Sequence, residues 1–313
     1  MKYIKDFEDG NRIDGIYYCK SKISTETKNG KPYDSLILQD KTGTIDTKVW
    51  SPYDPGIREY EAGDFIEVRG DVIIFNNAKQ FRANSIRKCS EDEYDPGDYM
   101  PVTSKDIDEM YRELTGLVES VENPYLKLLL ESFFGDEETA ATFKKSSAAK
   151  TIHHAFIGGL LEHTLSVTKL CDFMCGNYPV LNRDLLVTCA LLHDIGKIRE
   201  LSLFPDNDYT DAGQLVGHII IGAQMAKEHM DKISGFPEIL KNEVQHCILA
   251  HHGQLEFGSP KKPALIEALA LSMADNMDAK IETFSEAINS SEQKDWMGFN
   301  KFLDSNVRKT EQV

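Results

Sequence analysis

Five of the nine histidines and two aspartates fall in one ordered series along the chain: His163, the pair His193-Asp194, His218, the pair His251-His252, and Asp275. Imidazole and carboxylate donors together suit divalent zinc, manganese, iron or cobalt. One tetrahedral ion uses about four protein ligands, and the series offers more than that. The surplus points to a pair of metal ions, and two-metal centres mostly hydrolyse phosphate esters. An isolated histidine on an apolar helix is ordinarily a core residue. Independent core histidines would not fall so regularly beside small residues and at the ends of apolar runs. Asp194 and Lys197 are candidate catalytic residues, Lys197 as the cation on the phosphate; the bland alternative for Lys197 is a partner for a helix C-terminus. His153 and His154 are candidates to position substrate or to protonate the leaving oxygen, against an alternative of simple packing. His229 and His246 stand off the pattern and read as structural.

These ligands require helices that each project one or two side chains into a shared interior. From residue 104 onward the apolar pattern is helical. Ser104 reads as a cap, and helices are predicted at about 104–121, 124–134, 136–147, 155–176, 183–196, 213–233, 237–252 and 263–289. Breaks fall at Asn123-Pro124, Gly135, Tyr178-Pro179, Phe236-Pro237 and Lys262-Pro263, with Gly196 read as the stop after the His193-Asp194 pair. Gly158-Gly159 reads as a place where a helix approaches closely.

The first 90 residues read differently. Strand patterns run through Ile16–Cys19, Ser35–Asp40, Thr44–Trp50, Phe65–Phe75 and Lys79–Ile86, with turns at Asp40–Gly43 and Asn76-Asn77. About five short strands suggest a small closed barrel. Residues 91–103 are acidic and broken by Pro and Gly, the composition of a linker. The expected organisation is multi-domain α+β: a five-stranded barrel over 1–90, a linker over 91–103, a helical connection over 104–154, an all-α metal domain over 155–289 and a tail over 290–313.

The net charge of −16 argues against a protein that coats nucleic acid by charge alone. Its distribution is uneven, since residues 1–90 hold 15 basic and 14 acidic side chains and the remainder 20 and 37. The start of the chain lacks the apolar core of a signal peptide, no apolar run is long enough to span a bilayer, and the six cysteines show no framework spacing. A cytoplasmic protein with no membrane partner is expected.

The segment from Leu36 to Trp50, an apolar strand, an Asp-x-x-Gly turn and an alternating strand ending in an aromatic, resembles the second hairpin of nucleic-acid-type OB-folds. That resemblance implies a grip on single strands through stacking aromatics and groove cations. The candidates are Tyr33, Trp50, Phe75 and Phe81 with Lys48, Lys79 and Arg82; by period two about half the aromatics belong in the barrel core. The metal series, with Ile195-Gly196-Lys197 after the His-Asp pair, is similar to the HD superfamily of metal-dependent phosphohydrolases. It implies one ion on His163, His193, Asp194 and Asp275, and a second on Asp194, His218, His251 and His252, with Asp194 shared.

A barrel of this kind joined to such a domain, with His153–Thr164 at its entrance, looks like the YhaM family of 3′→5′ exoribonucleases. The resemblance implies release of nucleoside 5′-monophosphates from single-stranded RNA, with single-stranded DNA as a further substrate. It also implies two divalent ions, manganese first, with iron, cobalt or zinc as alternatives. A homo-oligomer would be a natural way to restrict access to single strands. Two alternatives stand beside it: an HD-type nucleotide or cyclic-dinucleotide phosphohydrolase whose OB-fold serves assembly, and a non-enzymatic RNA-binding protein with a structural bundle. The intact ligand series weighs against the last.

Overall fold

The computed structural model describes residues 1–27, 29–76, 78–150, 156–290, 295–300 and 303–311. The chain forms two compact units, Met1–Val102 with Phe204–Asp206, and Thr103–Leu203 with Asn207–Val313.

In the first unit five strands, β1 (Arg12–Glu26), β2 (Pro32–Asp40), β3 (Gly43–Val49), β4 (Phe65–Phe75) and β5 (Ala78–Lys88), close a barrel in the order β1-β2-β3-β5-β4. The β3–β5 pairing is parallel and the others are antiparallel. Strict alternation fixes what lies inside. Leu36, Leu38, Ile45 and Val49 are buried, while Ser35 and Lys48 stand opposite each other on the outer face. Asp40 anchors the N-terminus, accepting from the Ile4 amide at 2.6 Å and, on its other oxygen, from the Thr42 amide at 2.7 Å. That anchor places Ile4 and Phe7 in the barrel core.

Gly70 meets a steric demand. A Cβ there would lie 1.9 Å from the Arg82 carbonyl oxygen and 2.9 Å from the Phe81 ring, beside the register shift in the β4–β5 pair. Only glycine lets β5 cross so closely.

The segment expected to be a linker packs on the barrel as far as Val102. Tyr94 stacks on Phe65 at 3.9 Å, Tyr99 meets the same ring edge-on at 5.0 Å, and Gln39 donates to the Tyr99 carbonyl at 3.2 Å. Three apolar side chains, Tyr94, Tyr99 and Met100, outweigh the acidic, Pro/Gly-rich composition of the rest.

The second unit is helical: α1 (Ile107–Glu119), α2 (Pro124–Phe134), α3 (Glu137–Lys145), α4 (Gly159–Asn177), α5 (Arg183–Leu192), α6 (Lys197–Glu200), α7 (Asp211–Leu215), α8 (His218–Lys232), α9 (Glu238–Ala250) and α10 (Ile266–Ser290). The centre of this core is α5, whose residues Leu185–Leu192 are all buried, as an all-apolar helix must be. Several boundaries differ from expectation, among them the end of α5 at Leu192 where the helix was expected to reach 196. Asp106 rather than Ser104 caps α1, accepting from the Glu109 amide at 2.9 Å. The helix expected over 213–233 splits at Gly217, which has φ 78°. The expected tail contains a hairpin, β6 (Trp296–Asn300) paired with β7 (Ser305–Arg308), whose Val307 is buried.

Candidate metal centre

α5 and α9 end in the same way. His193 follows the last residue of α5, and its Nδ1 donates to the Ala190 carbonyl at 2.7 Å. His251 follows α9, and its Nδ1 donates to the Ile248 carbonyl at 2.6 Å. Each ring thus satisfies a carbonyl that the end of its own helix leaves without an amide partner. A carbonyl only accepts, so the proton is on Nδ1 and the Nε2 lone pair is bare, which is the tautomer a metal ion needs. His252 donates from Nδ1 to the Phe257 carbonyl at 2.8 Å. His218, first residue of α8, is held by Glu200, whose Oε1 accepts both its Nδ1 and its amide at 2.9 Å. His163, on α4, has its Nδ1 on Asp278 Oδ2 at 2.8 Å.

The five Nε2 atoms and two carboxylates form two groups around Asp194, which is 2% exposed. Asp194 Oδ2 lies 3.5 Å from His163 Nε2 and 3.4 Å from His193 Nε2. Asp275 Oδ1 lies 3.2 Å from His163 Nε2, completing that side. On the other side, Asp194 Oδ1 lies 3.4 Å from His218 Nε2 and 3.6 Å from His251 Nε2, with His252 closing the group. Asp194 Oδ1, His218 Nε2 and His251 Nε2 are buried with no hydrogen-bond partner. Orphaned buried polar atoms are costly, and a divalent cation satisfies all three together. The donor set therefore fits a pair of ions, one carboxylate oxygen lying toward each donor group.

The electrostatics agree. Burial pushes the Asp194 carboxyl up, but the Lys197 ammonium and the His193 and His163 rings beside it hold it well below the usual range. Burial, reinforced by His193, keeps His251 neutral, and burial does the same for His252. His163 differs. Burial disfavours its cation, yet its contacts with Asp194, Asp275 and Asp278 raise it well above an ordinary histidine, so a metal ion competes with a proton there.

Lys197 lies in the first turn of α6, five residues beyond the end of α5, which removes the helix C-terminus as its partner. Its ammonium sits 2.8 Å from Asp194 Oδ2, with the side chain 15% exposed. His153 and His154 lie outside the described residues. His229 stacks on Phe133 at 3.9 Å and His246 accepts from the Ala264 amide at 2.9 Å, both remote in role from the cluster.

Two site residues escaped the sequence reading, Glu200 and Asp278. Asp278 stands one turn beyond Asp275 and Glu200 six residues beyond Asp194, spacings that would have singled them out once the ligands were fixed. Replacing Asp278 by Ala should weaken metal binding about 10–100-fold, since the His163 ring loses its orientation. Calorimetric titration with Mn²⁺ checks this, and unchanged affinity would remove Asp278 from the site.

On the barrel, the structure separates the nucleic-acid candidates. Trp50, 49% exposed, stacks on Tyr33 with centroids 5.0 Å apart. Register sets Lys48 beside Arg82 on the same outer face. Lys48 is tied to Ser35 at 2.6 Å and Asp46 at 2.8 Å, and Arg82 is exposed. Phe75 and Lys79 are exposed where β4 meets β5, and Asn77 of that turn lies outside the described residues. Phe81 is a correction. It is 1% exposed, because β5 turns it inward under Gly70 and against Phe7, 6.4 Å away.

Comparison with known proteins agrees with both halves. The model of the HD domain family matches residues 160–280. Among solved structures, the second OB-fold domain of replication protein A from Methanococcus maripaludis is 22% identical over 29% of this chain and 95% of its own, at a TM-score of 0.22. A replication protein A heterotrimer bound to ssDNA is 17% identical over 28% of this chain and 62% of its own, also at 0.22. At such scores neither likeness carries weight. The 3′-5′ exoribonuclease YhaM of Geobacillus sp. (strain WCH70) is 36% identical over 293 residues, 92% of this chain and 88% of the relative. No helix among the described residues is long and apolar enough to cross a membrane. An identity of that level, running through barrel and metal domain alike, makes this chain a member of the YhaM family of 3′-5′ exoribonucleases.

Proposed function

We propose that the helical unit removes nucleoside 5′-monophosphates from the 3′ end of single-stranded RNA, using two divalent ions. His163, His193, Asp194 and Asp275 would hold one, and Asp194, His218, His251 and His252 the other. Manganese is the first choice, with iron, cobalt or zinc also suited to imidazole and carboxylate donors. The observation that carries the reading is the Asp194 carboxylate, buried with one oxygen toward each donor group. When bound, such a pair of ions brings a water pKa near 7 and offsets charge on the phosphoryl oxygens. The chain's own residues supply the rest. Glu200, Asp278 and three backbone carbonyls hold each imidazole by Nδ1 so that Nε2 faces inward. Lys197 brings a fixed positive charge to the edge of the same carboxylate, where it can meet a phosphate oxygen.

The barrel adds a second grip, and tethering raises the effective concentration of the 3′ end at the metal domain. Single-stranded DNA is the second substrate. The Tyr33–Trp50 stack, with Trp50 exposed, favours a polymer over the nucleotide or cyclic-dinucleotide alternative.

The decisive assay uses Mn²⁺ and RNA labelled at its 5′ end, with the 3′ terminus free or blocked. A ladder that shortens only with the free terminus is expected. Cleavage of blocked RNA at the same rate excludes the exonuclease, and cleavage of cyclic dinucleotides alone selects the alternative. Lys197→Met should lower kcat about 10²-fold without weakening Mn²⁺ binding. An unchanged kcat would assign Lys197 to charge balance alone.

A further inference from the structure

The barrel unit contains a cavity of about 290 Å³ between the end of β1, the start of β2 and the segment 51–60 that joins β3 to β4. Its inner wall is polar. Asp34 lines it, 5% exposed, with Oδ1 accepting from Ser24 Oγ and Oδ2 from the Tyr60 hydroxyl, both at 2.6 Å. Asp34 makes no ion pair among the described residues. One side is Tyr33, the ring that stacks on Trp50. At the rim stand Tyr53, 87% exposed, and Arg58, also exposed and with no side-chain partner among the described residues.

A space at the lower end of the range for small-ligand pockets suits one base rather than a run of them. The aromatic wall offers stacking to any base; the carboxylate selects among them. An ionised carboxylate accepts only, at about four lone-pair sites. Ser24 and Tyr60 use one on each oxygen, which leaves one on each. Guanine alone presents two adjacent donors on its Watson–Crick edge, N1–H and the N2 amino group. Adenine and cytosine set one donor beside an acceptor nitrogen, and uracil sets N3–H between two carbonyls. Each of those three bases would press an acceptor against the carboxylate.

We propose that this cavity is a guanine subsite. A guanine of the bound strand lies beside Tyr33 and donates N1–H and N2–H to Asp34, with an adjoining phosphate against Arg58. The inference rests on the single-stranded RNA reading and adds a base preference to it.

The test uses the full chain without added metal and an oligouridylate carrying one guanosine, adenosine or cytidine at successive positions, with binding followed by Trp fluorescence. Guanosine at one position should tighten binding about tenfold over the other bases. Inosine there, lacking the N2 amino group, should retain part of the gain. Asp34→Asn should abolish the preference and leave affinity for plain oligouridylate unchanged. Equal affinity for all bases at every position, or a preference that survives Asp34→Asn, overturns the proposal. Should that variant fail to fold, the position scan and the inosine comparison on the unaltered protein still decide. Oligouridylate shortened from its 3′ end under Mn²⁺, with no guanine preference, removes the subsite and leaves the nuclease; no shortening removes the nuclease itself.

Discussion

Replacing Asp194 by Ala should reduce turnover on single-stranded RNA by more than about 10³-fold and leave a helical, cooperatively folded protein. Both donor groups share this one carboxylate, so its loss takes a ligand from each at once. Calorimetry should then show neither ion bound at concentrations that saturate the parent. Stability falls as well, since Lys197 is left buried without its partner, a loss of about 3–5 kcal/mol where such a pair is broken. Asp194→Asn separates the two effects: it keeps the volume, removes the charge, and should lose turnover with a smaller loss of stability. Turnover that persists in either variant would end the shared-carboxylate account.

Gly196→Ala should damage the site without touching a ligand. A Cβ at Gly196 would lie 2.1 Å from the His218 carbonyl oxygen and 2.7 Å from the Gly222 amide nitrogen. Both are backbone atoms of α8 and neither can rotate away. Since φ at Gly196 is −61°, the demand is for space and not for a left-handed backbone. The expected loss is about 1–3 kcal/mol of stability, together with displacement of His218 and weaker binding of the ion that its group holds. Gly116→Ala is the control. That glycine lies in the last turn of α1 with nothing within 4 Å of the added carbon, and the change should stabilise by about 0.5–1 kcal/mol. Equal behaviour of the two variants in thermal unfolding would refute the packing argument.

The sequence reading of Gly196 as a helix stop shows how far spacing reaches. It marked the right glycine for the wrong reason, because the carbon it must exclude is opposed by a helix some twenty residues away. The ligand candidates were legible because imidazoles at the ends of apolar runs are improbable as core. Glu200 and Asp278 were not, being two of 51 acidic residues whose spacing carries meaning only once the ligands beside them are fixed. The strands were legible from period two but their phase was not: Phe81 and Ala83 face inward with Arg82 and Asn84 outward, so Phe81 is one of the aromatics that belong to the barrel core. The segment after residue 90 misled because composition averages over residues, and three apolar side chains among many polar ones are enough to dock it.

The two oxygens of Asp194 carry one further consequence. Whatever occupies one donor group alters the charge and orientation available to the other through a single shared side chain. On the two-ion reading proposed above, loading of the two positions is one coupled equilibrium. By reciprocity of linkage, any factor by which the first ion changes the affinity of the second must equal the factor by which the second changes the first. Activity plotted against metal concentration should consequently fail to fit independent sites.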